Sequence, residues 1–243
     1  NDTSFGVGFA PCSPLEQDVL RLAGILRSKA FGQRFPCAGS DFKVMGMRVG
    51  NEAAFTVALA FVDRHVAGVS DYRQHKAGIC EHLGQEIGPG AALQLNTLDD
   101  PAATDESGLY LTVSGLSSEM GDDGQVGRGN RACGLITPAR PMSLEAVAGK
   151  NPVSHVGKLY NVLAMLMARD IHERLEEAEG VTVQILSAIG APVDQPQVAA
   201  IEIQAAHGVS DALRQEAAKI ADEWLENMPK VTALILDQAV SLY

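Results

Sequence analysis

Five basic side chains, Arg128, Arg131, Arg140, Lys150 and Lys158, fall between Gly124 and Lys158, with Glu145 as the one acid among them. Five cations less one anion leave that stretch at +4, in a chain whose formal charge is -11. Glycines stand at 121, 124, 127, 129, 134, 149 and 157. Glycine lets backbone approach a ligand closely, and Arg and Lys match phosphate oxygens in charge and donor geometry. Asp122 and Asp123 stand just ahead of it and suit a ribose, an ammonium group or a metal. This combination predicts a polyphosphate site with a small organic substrate beside it.

Each of these residues also has a plainer reading. A glycine-rich loop taken alone is more often a turn than a ligand cradle. Gly149-Lys150 is not a Walker A loop: Leu144 stands where its first glycine belongs and Asn151 where Ser or Thr belongs. His155 sits near an expected helix start, where a surface or capping histidine is the default. Lys158 reads equally as a solvated helix lysine, and Asp2 as a turn residue. No His/Cys/carboxylate spacing suggests zinc, and no G-x-S-x-G elbow occurs.

The elements that must hold these groups follow from periodicity. Ser13-Pro14-Leu15-Glu16 announces a helix carrying Leu15, Val19, Leu22 and Leu26, with Gly32 placed just past its end. Residues 42–49 and 53–63 read as strands joined at Gly50-Asn51, followed by a helix over 71–87. Strands are expected over 93–98 and 109–114, with a polar loop over 99–107. A long helix is expected over 154–177, with Leu159, Leu163, Leu166, Ile171 and Leu175 on one face. Strands over 181–189 and 198–204 precede a helix capped by Ser210, which Pro229 ends, and a last helix covers 231–238. Strand–strand–helix thus occurs twice, predicting an α+β fold of similar modules with helices packed on mainly antiparallel sheets.

At 243 residues the chain can bury a substantial core. Its acidity argues against broad nucleic-acid binding, and no apolar run is long enough to span a bilayer. Cys12, Cys37, Cys80 and Cys133 are scattered, which fits a reducing cytoplasm better than a disulfide framework. The chain has no initiator Met and no signal peptide, and it reads as a piece of a longer protein.

Gly121-Asp-Asp-Gly-Gln-Val-Gly-Arg-Gly-Asn-Arg131, followed by Gly134 to Asn161 with its Gly-Lys-Asn-Pro-Val-Ser-His-Val-Gly-Lys run, resembles the archaeal-type S-adenosylmethionine synthetases. Residues 1–11, 42–48, 61–64 and 185–194 resemble further segments of that family, in the same order. The resemblance implies that methionine sulfur attacks C5′ of ATP and displaces tripolyphosphate, which is then hydrolysed to pyrophosphate and phosphate. It implies Mg2+ and K+ as cofactors, ATP and L-methionine as ligands, and a homodimer with its site at the interface.

By that resemblance Arg128 and Lys150 bind triphosphate as catalytic groups together with His155. Arg131 and Lys158 are further triphosphate contacts, as is one of Lys43 and Arg48. Asp122 matches a carboxylate contacting ribose and methionine, and Asp2 matches one near the methionine; the metal ligands stay unassigned. Ser154, His155 and Lys158 occupy the region where bacterial relatives carry a second lysine and an aspartate. The family's His-Pro-Asp motif is absent from this sequence. The family's interleaving implies one domain over 12–117, a second over 118–158, and a third from 1–11 with 159–243. The alternatives are a homologue that binds nucleotide or polyphosphate without catalysis, or that partners a full-length synthetase, and a purely structural interaction module.

Overall fold

A computed structural model describes residues 4–87, 90–116, 131–240 and 242. The chain divides into two compact units, Asn1–Cys12 with Val126–Tyr243, and Ser13–Gln125.

The first unit is a three-stranded antiparallel sheet in the order β1-β6-β7, made of Phe5–Ala10, Gly180–Leu186 and Val198–Gln204. Helix α4, Val156–Arg174, lies on it, with α5, Asp211–Glu226, and α6, Met228–Leu236, packed alongside. The core is Leu159, Leu163, Met167, Ile171, Val181, Val183, Ile185, Ile220 and Val231. Burial around α4 is wider than the single stripe read from the sequence: every residue from Val156 to Ala164 is buried, whereas Leu166 and Leu175 are only partly so. Over these first turns the helix is covered on several sides, so burial there does not follow a single stripe. The helix and sheet also meet backbone to backbone, since a Cβ at Gly6 or Gly8 would overlap the main chain of Tyr160 or Ala164.

Asn161 completes this junction. Its Oδ1 accepts from the Val7 amide at 3.1 Å, and its Nδ2 donates to the Phe5 carbonyl at 3.2 Å. These groups lie on the β1 edge away from β6, so one side-chain amide does there what a neighbouring strand would do.

The second unit holds a mixed sheet. Strands β2, Ala38–Val49, and β3, Glu52–Val62, form an antiparallel hairpin turning at Gly50, whose φ is 59°. On the other edge of β3, β4 (Ala92–Leu95) and β5 (Leu111–Thr112) pair end to end, both parallel to it. Helix α1, Pro14–Arg27, covers β2, and α3, Val69–Glu86, packs on β4. Ser13 and Glu16 form the expected capping box, with bonds of 3.3 and 2.7 Å.

Several boundaries differ from the sequence reading. Gly32 lies inside a second helix, α2 (Lys29–Arg34), which Ser28 caps by accepting from the Phe31 amide. The strand expected over 93–98 stops at Leu95, because Asn96 turns to φ 46° and spends its side chain on β3. It accepts from Leu59 N at 2.7 Å and donates to Leu59 O at 2.9 Å, bridging the gap between β4 and β5. The strand expected over 109–114 shortens to β5. Pro229 does not end α5; it is the second residue of α6, where its missing N–H costs nothing. Among the described residues no helix is long and apolar enough to cross a membrane.

Candidate functional site

Four of the expected residues, Arg131, Lys150, His155 and Lys158, belong to the first unit and gather around the N-terminus of α4. The turn that leads into the helix is built by Asn151, whose Oδ1 accepts from Val153 N at 2.8 Å and Ser154 N at 3.2 Å. Pro152 O accepts from Thr232 Oγ1 of α6 at 3.1 Å, which ties the turn to the core helices. The position that a P-loop gives to Ser or Thr is thus occupied by a turn-forming amide.

His155 is the N-cap of α4, with its Nδ1 accepting from the Lys158 amide at 3.4 Å. As the cap acceptor, Nδ1 turns its lone pair toward that amide. The capping role, the plainer reading for this histidine, is the one observed. For Lys158 the plainer reading is overturned. Its residue is 4% exposed, and its ammonium donates to Lys150 O at 2.9 Å. Desolvation first, and the charge of Lys150 second, hold Lys158 below the ordinary lysine pKa.

Lys150 folds back on its own turn, with Nζ 2.7 Å from Glu145 Oε1 and 2.6 Å from Ala146 O. Arg131 reaches the same turn, donating from Nε to Ser143 O at 2.9 Å. Its Nη1 is buried and finds no hydrogen-bond partner among the described residues. Ser143 is the common anchor, because its hydroxyl also accepts from Glu145 N at 3.1 Å and from Asn161 Nδ2 at 3.5 Å. Three cations therefore bind main-chain carbonyls of one segment, Ser143–Lys150, which Ser143 ties to Asn161 of α4. Arg140 goes elsewhere in the unit, over the ring of Phe9 at 4.3 Å, and donates to Pro11 O.

Lys43 and Arg48 belong to the second unit, on β2. They differ by an odd number of positions along a regular strand, so they point to opposite faces of the sheet. Lys43 shares the open face with the exposed Met45 and Met47 and pairs with Asp41 at 3.5 Å, whereas Arg48 shares its face with Gly46, which contacts α1. Asp2, Asp122, Asp123 and Arg128 lie outside the described residues. Sequence reasoning missed Ser143 and Asn161 as organisers. It counted Glu145 without giving it a partner; a lone acid in a basic stretch was the signal available.

Among the described residues no group of three His, Cys, Asp or Glu comes together to hold a metal ion. The single carboxylate of the cluster, Glu145, is already engaged by Lys150. The described residues therefore do not by themselves supply the oxygen cage that Mg2+ requires.

The chain is similar to known proteins over nearly its whole length. The profile of the S-adenosylmethionine synthetase (AdoMet synthetase) family matches residues 1–239. The S-adenosylmethionine synthase of Pyrococcus furiosus is 50% identical over 250 residues, covering 100% of this chain and 61% of that protein. The probable S-adenosylmethionine synthase of Aquifex aeolicus is 44% identical over 242 residues, covering 98% and 60%. The chain thus spans about three fifths of the length of these curated relatives. Among solved structures, an unusual S-adenosylmethionine synthetase from Campylobacter jejuni superposes with a TM-score of 0.56 at 14% identity, over 93% of this chain and 60% of that one, a likeness of fold. With a family profile that spans almost all of its residues, the chain belongs to the S-adenosylmethionine synthetase family.

Proposed function

We propose that the protein makes S-adenosylmethionine from ATP and L-methionine. Methionine sulfur attacks C5′ of the ribose, the C5′–O bond breaks, and tripolyphosphate leaves with the bonding pair. Water then cleaves the bound tripolyphosphate to pyrophosphate and phosphate. The observation that carries this reading is that a buried Lys158, Lys150, and Arg131, whose Nη1 has no partner among the described residues, all hold the segment Ser143–Lys150 that leads to the α4 N-terminus. Fixed cations beside the leaving group stabilise the negative charge that develops there, more in the transition state than in bound ATP. Burial of Lys158 removes water that would screen its charge. The N-terminus of α4 adds its own partial positive charge to the same place.

The remaining roles follow the family resemblance. Arg128 joins the triphosphate contacts, Asp122 and Asp2 face ribose and methionine, and one of Lys43 and Arg48 reaches phosphate. The family resemblance also implies Mg2+, and often K+, as cofactors, which the described residues alone would not hold. The reading also carries a homodimer, which sedimentation at micromolar concentration tests separately.

The decisive experiment incubates the intact protein with ATP, L-methionine, Mg2+ and K+ and follows S-adenosylmethionine by mass spectrometry. Lys158→Met, close in length and uncharged, should lower kcat/KM by about a hundredfold, the usual cost of one preorganised charge donor. A loss of less than about tenfold would remove the cluster from the mechanism. Tripolyphosphate binding without turnover would instead mark a binding homologue.

A further inference from the structure

The cluster contains its own anion. Glu145 is the single acid between Gly124 and Lys158, and its two oxygens have separate tasks. Oε1 takes the Lys150 ammonium at 2.7 Å. Oε2 lies against the first turn of α4, where a Cβ on Gly157 would come within 2.5 Å of it. Gly157 is two residues past the N-cap, in the turn where unpaired amides and the helix dipole attract negative charge. The Glu145 side chain therefore packs against the first turn of α4, and the glycine leaves room for it.

The placement is fixed from behind. Ser143 Oγ accepts from the Glu145 amide, and the Ser143 carbonyl receives Arg131. Ala146 O takes a second Lys150 proton at 2.6 Å. Among the described residues these two contacts leave Lys150 one of its three N–H donors for any other acceptor. A polyphosphate that engages Lys150 fully must displace Glu145 or share the ammonium with it.

We propose that Glu145 is a positioning and charge-balancing residue that sets the release of polyphosphate: held beside the first turn of α4, it competes for Lys150 and so weakens product binding. This rests on the reading of the cluster as a triphosphate site. A site made only of cations would hold tripolyphosphate and pyrophosphate too long to turn over. One internal carboxylate offsets part of that grip without removing a cation. At an effective dielectric constant of about 40 and a separation of about 6 Å, a unit charge is worth about tenfold in anion affinity.

The test is calorimetric titration of the intact protein with inorganic tripolyphosphate, comparing wild type, Glu145→Gln, Glu145→Ala and Glu145→Asp, each checked for a cooperative thermal transition. Glu145→Gln should tighten the Kd about tenfold. Glu145→Ala, the second uncharged variant, should move it the same way, and Glu145→Asp should return it to within about twofold of wild type. Loosening of the turn through loss of a merely structural contact would weaken binding, so tightening is the sign that separates the two roles. Wild-type binding with equal or weaker binding by both uncharged variants overturns the assignment of Glu145 and leaves the triphosphate site standing. Failure of the wild type to bind tripolyphosphate overturns the site itself, and the assignment with it.

Discussion

Replacing Asn161 with Ala tests how the site's helix is attached to its sheet. The change removes the amide that accepts from Val7 N at 3.1 Å and donates to Phe5 O at 3.2 Å and Gly157 O at 2.7 Å. The Val7 amide is left without its edge partner in a residue that is 9% exposed. Phe5 is 46% exposed, so water can take over much of the bond to its carbonyl. A buried group left unpaired costs about 1–3 kcal/mol, and the lost side-chain volume adds to this. The expected loss is about 3 kcal/mol. With a urea dependence of about 2 kcal/mol per molar, the unfolding midpoint should fall by about 1.5 M at unchanged slope. Hydrogen exchange gives the local readout, because the Val7 amide should lose protection before the amides of β6. A midpoint shift below about 0.5 M, or an unchanged Val7 exchange rate, would refute the view that this side chain completes the strand edge.

Other outcomes follow from single positions. Gly8→Ala drives a Cβ into the Ala164 backbone and should cost about 3 kcal/mol or more in the same urea assay, whereas Gly24→Ala, on the open side of α1, should stabilise by up to about 1 kcal/mol. Burial raises the Cys37 thiol from 9.0 to about 11. Its folded pKa lies above the unfolded one, so its contribution is complete below pH 9 and about 3 kcal/mol is lost as pH rises to 11; Cys37→Ala should flatten that part of the stability profile. Lys158 is shifted the other way, so the unfolded chain holds the proton more tightly. Stability should rise with pH between its folded pKa and 10.5, while tripolyphosphate affinity falls over the same window, and Lys158→Met should abolish both slopes.

The cations on which the proposed site rests were legible in the chain. Arg131, Lys150 and Lys158 announce an anion site by type and by density of charge, and the run around them carries the family resemblance. Local signals also held where their physics is local. The Ser13–Glu16 capping box, the Ser210 cap and the Gly50 turn form within a few residues and need no distant partner. The misplaced boundaries sit where distant contacts win. Asn96 leaves its strand to bond β3, and Pro229 opens a helix because the preceding one has already ended at Glu226.

From residue order alone came the acidic chain with one basic island, the strand–strand–helix pattern and the family. Folding settled which cations are buried, which are exposed, and what each one faces. Lys43 and Lys158 are the same residue type, yet one stands in water on an open sheet face and the other is buried against Lys150 O. Desolvation depends on every neighbour brought in from elsewhere in the sequence, and no local pattern encodes it. Glu145 shows the same division: its presence among five cations is a property of the sequence, while its grip on Lys150 and its seat on Gly157 exist only because α4 and the Ser143–Lys150 turn meet.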